Sequence, residues 1–312
     1  MSRIDAHGHL IPERYRAELE RLDLETGYPL PPATPEIFSA LMDRYAIDAA
    51  VVSLSPPGVW FGDPGLAREL SRLVNEETAA LVREQPARFA GLATLPLPDV
   101  EGALAEIAYA YDELGLDGVA LLSNVDGTYV GDPEWDPVFE ELERRGAYVF
   151  LHPIQPATPS PMPAAPVWVQ EFPFDTTRAV TNLIYSGTME RSPSIRLQLA
   201  HMGGTAPFIA HRIAEWAGRD PSKAEAAPAG AVAYIQRMWF DTGLSNNPIA
   251  TAAVRELAGL NRIVFGTDWP YAVLSEGSDP SPDLGLGAEE RAAVDGTNVA
   301  ALVPRLADAL AG

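Results

Sequence analysis

Cysteine is absent from this sequence of 312 residues. Its absence excludes disulfide bonds, thiolate metal ligands and cysteine nucleophiles together. The sequence also lacks a run of about 18 uninterrupted apolar residues, the length that a membrane-spanning helix needs. Its first residues do not show the basic, apolar and small-residue series of a secretory leader. We therefore expect a cytoplasmic protein that has no membrane partner.

Positive charge is scarce. The chain has 22 lysine and arginine residues against 43 aspartate and glutamate residues, which gives a formal net charge of −21. Such a surface repels phosphate backbones and anionic lipids, so we expect no nucleic-acid partner. Lys223 is the single lysine, and it falls in a polar stretch. A small anionic substrate would need a local positive centre.

Short apolar, β-branched runs recur along the chain and alternate with helix-like patterns. Eight such runs predict strands at 3–10, 49–55, 89–96, 117–124, 147–153, 195–202, 238–244 and 262–269. Helices are predicted at 34–46, 65–85, 100–115, 136–146, 175–187 and 249–260. This alternation predicts an α/β fold, a (β/α)8 TIM barrel, in one domain spanning residues 1–312. An open doubly wound sheet is the alternative, but its usual Gly-rich first turn is not found in "DAHGHLIPE".

Turn and cap residues refine these boundaries. Thr34 is a predicted N-cap, and Gly115, Gly146 and Gly187 fit helix C-caps. Three stretches are predicted to be irregular: 154–166, 218–231 and 275–288. The first and third follow strands, so we expect them to shape the mouth of a pocket, whereas the second is expected on the surface.

Four of the five histidines lie at the ends of predicted strands. His7 and His9 are one residue apart and therefore point to the same side of the first strand. His152, His201 and Asp268 end the fifth, sixth and eighth strands. Residues at the carboxyl ends of barrel strands meet at the catalytic face. A buried histidine taken alone is more often a hydrogen-bonded core residue, but this set predicts a metal site.

The predicted ligands of one divalent ion are His7, His9, His152 and Asp268. His201 would then lie beside the ion, free to act as an acid or a base. Asp5 precedes His7 by two residues, and we expect it to be structural or to support a ligand. His211 falls in a helical pattern, so a surface or packing role is expected for it.

The motifs D-A-H-G-H, "FLHP", "AHMGG" and "GTDWP" resemble those of the amidohydrolase superfamily. More closely, the chain is similar to the branch of metal-dependent decarboxylases that includes aminocarboxymuconate semialdehyde decarboxylase, γ-resorcylate decarboxylase and methylsalicylate decarboxylase. The stretches 75–99 and 171–187 also resemble this branch. The resemblance implies the same four ligands and a catalytic His201. It further implies that Arg212 grips a substrate carboxylate, in some relatives across a dimer interface.

Many two-metal members of the superfamily bridge their ions with a carboxylated lysine on a middle strand. The fourth predicted strand, "GVALLSNV", has no lysine, so we expect one divalent ion per chain, Zn²⁺ with Mn²⁺ as the alternative. The resemblance also implies a homodimer or a higher homo-oligomer. The helical stretch that carries Phe208, Ile209, Ile213 and Trp216 has a broad apolar face that would suit a partner or the chain's own core.

The predicted reaction is the non-oxidative decarboxylation of a small aromatic acid with a hydroxyl beside its carboxylate. Asp268 or His201 would deliver the proton that replaces carbon dioxide. Residues 56–63, Trp269, Tyr271 and Phe174 are candidates for flat walls around the substrate ring. Hydrolysis of an amide or lactone and hydration of an unsaturated acid are alternatives on the same site. A non-catalytic binding protein is a further alternative.

Overall fold

All eight predicted barrel strands are present. The computed structural model describes residues 2–158, 164–272, 274, 279–280 and 283–311, so parts of the predicted irregular stretches 154–166 and 275–288 lie outside the described residues. The sheet runs in the order β1-β2-β3-β4-β7-β8-β9-β10, and its paired strands are parallel. These strands are β1 (Ile4–His9), β2 (Ala49–Ser53), β3 (Phe89–Thr94), β4 (Gly118–Leu122), β7 (Tyr148–His152), β8 (Arg196–Leu199), β9 (Trp239–Asp241) and β10 (Ile263–Val264).

The sheet closes between its first strand and the chain that follows its last. The backbone N–H of Ala6 donates to the carbonyl of Phe265, and that of His9 donates to Trp269, both at 2.8 Å. The N–H of Asp268 donates back to the carbonyl of His7 at 2.8 Å. These bonds make the sheet a barrel, so the predicted TIM-barrel fold is confirmed.

Helices follow most of the barrel strands, and a small antiparallel hairpin, β5 (Asn124–Val125) and β6 (Thr128–Tyr129), follows β4. The predicted N-cap Thr34 accepts a hydrogen bond from the N–H of Ile37. The helices are α1 (Glu13–Arg21), α2 (Pro35–Arg44), α3 (Pro64–Glu84), α4 (Val100–Asp112), α5 (Asp136–Arg144), α6 (Trp168–Tyr185), α7 (Thr188–Arg191), α8 (Ala210–Ala217), α9 (Pro221–Ala226), α10 (Ala231–Ile235), α11 (Pro248–Ala258), α12 (Ala288–Ala292) and α13 (Pro304–Ala311).

Two predicted boundaries are wrong. Helix α6 begins at Trp168 rather than at residue 175, and it contains Pro173. Proline at the sixth position removes one backbone hydrogen bond from α6, because its nitrogen has no hydrogen to donate to the carbonyl of Val169. The stretch 218–231, predicted to be irregular, contains α9, which Asp220 caps by accepting from the N–H of Ser222.

The C-terminal segment packs against the barrel interior at the amino ends of the strands. Inward-facing strand residues such as Ile4 and Phe150 form one apolar cluster with Val299, Leu302 and Leu306. A much larger cluster lies between the strands and the surrounding helices. Because the C-terminal segment covers the amino ends of the strands, access to the barrel is left to their carboxyl ends. Of the helices that the structure describes, none has the length and apolarity needed to cross a membrane; the predicted cytoplasmic location stays a prediction.

Candidate active site

The structure brings the four predicted ligands together at the carboxyl end of the barrel. One ligand atom from each of His7, His9, His152 and Asp268 lies within 4.8 Å of all the others, and all four residues are buried. The Nε2 atoms of His7 and His9 are 3.1 Å apart. Asp268 Oδ1 lies 3.2 Å from each of these two nitrogens. Alternation along β1 accounts for the shared direction of the two histidines.

Contacts at Nδ1 position each of the three histidine rings from behind. His152 donates from Nδ1 to the carbonyl of Pro153 at 2.8 Å, and its buried Nε2 has no hydrogen-bond partner in the described part of the chain. His7 Nδ1 lies 2.9 Å from Asp241 Oδ1, and His9 Nδ1 lies 3.1 Å from the Ser53 hydroxyl. Three imidazole nitrogens and one carboxylate facing the same point fit a divalent cation.

The electrostatics of the cluster depend on burial and on two carboxylates. Burial lowers the pKa of His7, but the charges of Asp241 and Asp268 outweigh it and raise that pKa to about 10. Burial, with the neighbouring His9 and His7, holds the pKa of His152 well below its ordinary value. Burial also lowers the pKa of His9. The pKa of Asp268 lies well below its usual range, since the charge of His7 and hydrogen bonds from the histidines outweigh burial. A proton on this cluster therefore resides on His7, where a cation would replace it.

Asp241 is a functional residue that the sequence reasoning missed. It ends β9, is fully buried, and accepts from His7 Nδ1 through Oδ1 and from Gln198 Nε2 through Oδ2, at 2.8 Å for the latter. Its Oδ1 also accepts from the N–H groups of His201 and Gly243 at 3.1 and 3.0 Å. The sequence offered only a weak signal, a carboxylate inside the seventh predicted strand, 238–244, which in the structure ends at this residue.

Asp5 lies one layer below the cluster. Its carboxylate accepts from the N–H of His7 at 2.9 Å and from the hydroxyl and N–H of Thr267 at 2.6 and 3.0 Å. It therefore joins β1 to the segment that carries Asp268, and it is not one of the four grouped ligand residues. The expectation that Asp5 supports the ligands agrees with these contacts.

His201 lies beside the cluster in a strained turn. Its Nε2 is 3.1 Å from Asp268 Oδ2, and its buried Nδ1 has no hydrogen-bond partner among the described residues. His201, Met202 and Asp268 have φ values of 56°, 53° and 58°, a region that side chains other than glycine rarely adopt. Gly204 permits this turn, because a Cβ there would lie 2.1 Å from the carbonyl oxygen of Pro173.

The predicted substrate contacts Trp269 and Arg212 are not among the four grouped ligand residues, and their contact with a substrate stays a prediction. Trp269 is only 6% exposed and stacks on Phe38 with ring centroids 4.5 Å apart, so its ring lies in the barrel wall. Arg212 is exposed on α8, next to His211, and has no ion-pair partner within the part of the chain that the structure describes. Phe174 is 40% exposed on α6. The ring of Tyr271 lies 5.8 Å from that of His9.

A cavity of about 330 Å³ opens onto the cluster at His152. Trp60 and Phe61 line it, as the aromatic candidates in 56–63 predicted, together with Leu95 and Leu122. Residues 154–157, from the first predicted irregular stretch, also contribute to its wall. Its size and its mixed apolar and polar wall suit a small organic ligand.

Comparison with known proteins agrees with this geometry. Residues 4–305 match the family model described as Amidohydrolase. The chain is 34% identical over 294 residues to Decarboxylase yanB of Aspergillus niger, covering 88% of this chain and 79% of the relative. It is 31% identical to a 6-methylsalicylic acid decarboxylase of Penicillium expansum, covering 87% and 86%. The crystal structure of a 5-carboxyvanillate decarboxylase of Novosphingobium aromaticivorans, complexed with manganese, superposes with a TM-score of 0.84 at 22% identity, covering 96% and 95%.

Proposed function

The chain belongs to the amidohydrolase family, and on that premise we propose its function. It is a metal-dependent decarboxylase, a carboxy-lyase that releases carbon dioxide from a small aromatic hydroxy acid without oxidation or reduction. Residues 1–312 act as one catalytic domain. The observation that carries the proposal is the buried group of three histidines and Asp268 that opens onto an aromatic-walled cavity. Two of the relatives named above are decarboxylases of aromatic acids by their names, 6-methylsalicylic acid and 5-carboxyvanillate.

His7, His9, His152 and Asp268 would hold the metal ion. When bound, a divalent ion supplies positive charge that neutralises the carboxylate and the neighbouring hydroxyl oxygen of the substrate. This matters in a chain with a formal net charge of −21, which otherwise repels an anion. Trp60 and Phe61 offer flat surfaces to the substrate ring. The predicted contact of Trp269 with the substrate stays a prediction.

His201 and Asp268 form the catalytic pair. His201 Nε2 lies 3.1 Å from Asp268 Oδ2, within hydrogen-bond distance. The pair delivers a proton to the ring carbon that bears the carboxylate. The bond between that carbon and the carboxylate then breaks, its electron pair returns to the ring, and carbon dioxide leaves. One proton is consumed for each carbon dioxide released.

We further propose one Zn²⁺ ion per chain. Three imidazole nitrogens and one carboxylate are a typical zinc ligand set, whereas Mn²⁺, found in the related crystal structure, is the alternative. Lys223, the single lysine, lies on α9 and away from the barrel strands, so no lysine bridges a second ion. Elemental analysis of the purified protein tests both points, and two tightly held ions per chain would contradict them.

The chain assembles as a homodimer in this proposal, with α8 near the two-fold axis. Trp216 on α8 is 51% exposed and Phe208, just before the helix, is 88% exposed, while Ile213 on α8 is buried in the chain's own core. Arg212 is exposed between them and would reach the partner's site to orient the substrate carboxylate. A mixed dimer of Arg212→Ala and His201→Asn subunits should then regain activity. No recovered activity after verified subunit exchange would rule out a role across the interface.

Carbon dioxide release tests the proposed reaction. The metal-loaded protein is incubated with 6-methylsalicylate and a panel of hydroxybenzoates, and headspace carbon dioxide is followed by mass spectrometry. We expect release from at least one hydroxybenzoate, abolished by a chelator and restored by added metal. Turnover of matched amides or lactones, with none of the acids, would instead indicate a hydrolase.

A further inference from the structure

The cavity has an unusual charge composition for a site that takes an acid. Among the residues that line it there is no lysine or arginine, but there are two carboxylates, Glu25 and Asp126. The residues outside the described part of the chain include no lysine or arginine either. The middle of the wall is apolar, with Leu54, Leu97 and Leu122. Within one chain, a metal ion held by the four grouped residues would then supply the positive charge that the cavity lining lacks.

The two carboxylates lie at the solvent end of the cavity. Glu25 and Asp126 are exposed, whereas His152, which lines the same cavity, is 4% exposed and belongs to the metal group. Neither carboxylate has a hydrogen-bond or ion-pair partner among the described residues. Carboxylates at a protein surface are negatively charged at neutral pH. The cavity would therefore be polarised when a metal ion is bound, with positive charge at its buried end and negative charge at its mouth.

The position of Asp126 is fixed by the backbone. Asp126 and Gly127 are the two loop residues of the β5–β6 hairpin, with φ values of 51° and 84°, and Asp-Gly is a preferred pair for this turn. The side chain of Asn124 fastens the turn by accepting from the N–H of Gly127 at 3.0 Å. Asn124 also lines the cavity. The hairpin thus holds one negative charge in place at the mouth.

We propose that Glu25 and Asp126 determine substrate specificity by rejecting a second carboxylate. The substrate is an aromatic monocarboxylate whose acid group meets the metal ion, with an uncharged group at the ring positions that face the mouth. This inference rests on the proposed function, because it assigns the buried end of the cavity to the acid group. It separates this chain from decarboxylases whose substrates carry two acid groups.

A matched pair of ligands tests the inference. 2-Hydroxyterephthalate carries a second carboxylate opposite its first, and 4-carbamoyl-2-hydroxybenzoate has a neutral carboxamide of nearly the same shape there. Dissociation constants are measured by calorimetry on the metal-loaded protein at low ionic strength, together with carbon dioxide release. We expect the carboxamide to bind about tenfold more tightly, because each mouth charge repels the second carboxylate by about threefold in affinity.

Variants locate the effect. Glu25→Gln combined with Asp126→Asn should reduce the difference between the two ligands to less than about threefold, as should 0.5 M salt, which screens exposed charges. Asparagine keeps the turn, because Asn-Gly suits the same hairpin. Glu256→Gln and Asp308→Asn remove two exposed charges that do not line the cavity, and this control pair should leave the difference unchanged.

The outcomes separate the two proposals. Equal or tighter binding of the dicarboxylate, or a difference that survives in the Glu25→Gln, Asp126→Asn protein, would overturn the charge filter. Equal carbon dioxide release from both ligands would overturn the filter while supporting the decarboxylase. A difference in binding that disappears with the mouth charges would support the filter whether or not these two ligands release carbon dioxide. Absence of release from the whole hydroxybenzoate panel would contradict the proposed reaction and leave that binding result standing.

Discussion

At the scale of single residues, the candidate metal site depends on side chains outside the four grouped ligand residues. Asp241 holds the ring of His7 by its Nδ1 and also accepts from the backbone N–H of His201. One carboxylate therefore positions a predicted ligand and the predicted acid–base residue together. Gln198 in turn bonds Asp241 Oδ2, and its own Oε1 accepts from the hydroxyl of Tyr148 at 2.7 Å. The site is positioned by a chain of hydrogen bonds that runs down into the barrel.

Asp241→Asn should weaken metal binding by about 10- to 100-fold while the fold is kept. The asparagine amide has nearly the same shape but no negative charge, so the His7 ring becomes a poorer electron donor to the ion. In addition, the amide N–H₂ group would face the N–H₂ group of Gln198, and neither can accept a hydrogen bond from the other. Competition with a chelator measures the affinity, and circular dichroism checks the fold. Asp308→Asn, on the exposed face of α13, is the matched control. Unchanged metal affinity in Asp241→Asn would show that His7 does not need this partner.

His201→Asn should retain most of the metal and lose about 100-fold or more of kcat. The substitution removes the ring that faces Asp268 Oδ2 but none of the four grouped ligand residues. Metal content and kcat are measured on the same preparation. Loss of metal together with activity would mean that His201 is a ligand, and full activity would mean that Asp268 works without it.

Metal binding should release close to one proton per ion at pH 8. The pKa of His7 in the metal-free protein is raised to about 10, so its ring is protonated at pH 8 and must lose that proton when it becomes a ligand. Affinity should thus rise with pH and level off above about pH 10. Calorimetry in two buffers of different ionisation enthalpy counts the protons. A count of zero at pH 8 would show that His7 is neutral before the ion binds.

At the scale of elements, the sequence predicted where strands lie better than it predicted what surrounds their ends. The strands were found because each is a short apolar run, and the four ligands because histidines mark strand ends. Asp241 was missed because a lone aspartate in an acidic chain gives no comparable signal. The predicted start of α6 is wrong because a proline such as Pro173 usually marks a helix boundary. In the structure the helix begins five residues before this proline, at Trp168. Neither the stacking of Trp269 on Phe38 nor the outward face of α8 could be read from spacing alone.

A buried carboxylate on α6 organises the wall of the cavity. Asp175 is fully buried and accepts from the hydroxyl of Ser123, from Asn124 Nδ2 at 2.8 Å and from the hydroxyl of Tyr129 at 2.5 Å. Ser123 in turn accepts from the N–H of Ile154 at 3.0 Å. The segments after β4 and β7 are thereby fastened to one helix.

Asp175→Asn should lower the free energy of unfolding by about 2–4 kcal/mol, because an amide cannot accept from all these donors in a buried place. Urea denaturation of the metal-loaded protein measures the loss. The exposed substitution Asp308→Asn should change the free energy of unfolding by less than about 0.5 kcal/mol. Equal stability of the two variants would mean that the donors around Asp175 find water or other acceptors.

At the scale of the whole molecule, stabilising contacts of the C-terminal segment and the candidate active site lie at opposite ends of the barrel. Its amino end is closed by the C-terminal segment, where Arg305 bonds Asp117 and the carbonyl of Pro86, each at 2.8 Å. Its carboxyl end carries the metal group, the cavity and the strained residues. The buried metal group would hold a cation inside a protein whose formal net charge is −21.

That charge distribution predicts an inverse salt dependence. A protein with a formal net charge of −21 repels an aromatic carboxylate at long range, and the metal ion attracts it only once it has entered the cavity. Added salt screens the long-range repulsion between exposed charges more than the short-range attraction at a buried ion. We therefore expect kcat/KM to rise by about two- to fivefold between 10 and 300 mM potassium chloride, with kcat nearly constant.

The control is binding of the methyl ester of the same acid, which has no charge to be repelled and should show no rise with salt. If kcat/KM instead falls as salt is added, the substrate is being drawn in by positive charge near the mouth. The described cavity of one chain has no such charge, whereas Arg212 on an exposed helix is free to provide it to a neighbouring copy. Repeating the salt titration with Arg212→Ala distinguishes two cases. If kcat/KM of this variant rises with added salt, Arg212 supplies the attraction. If kcat/KM still falls with added salt, the acidic surface is not the barrier to substrate entry.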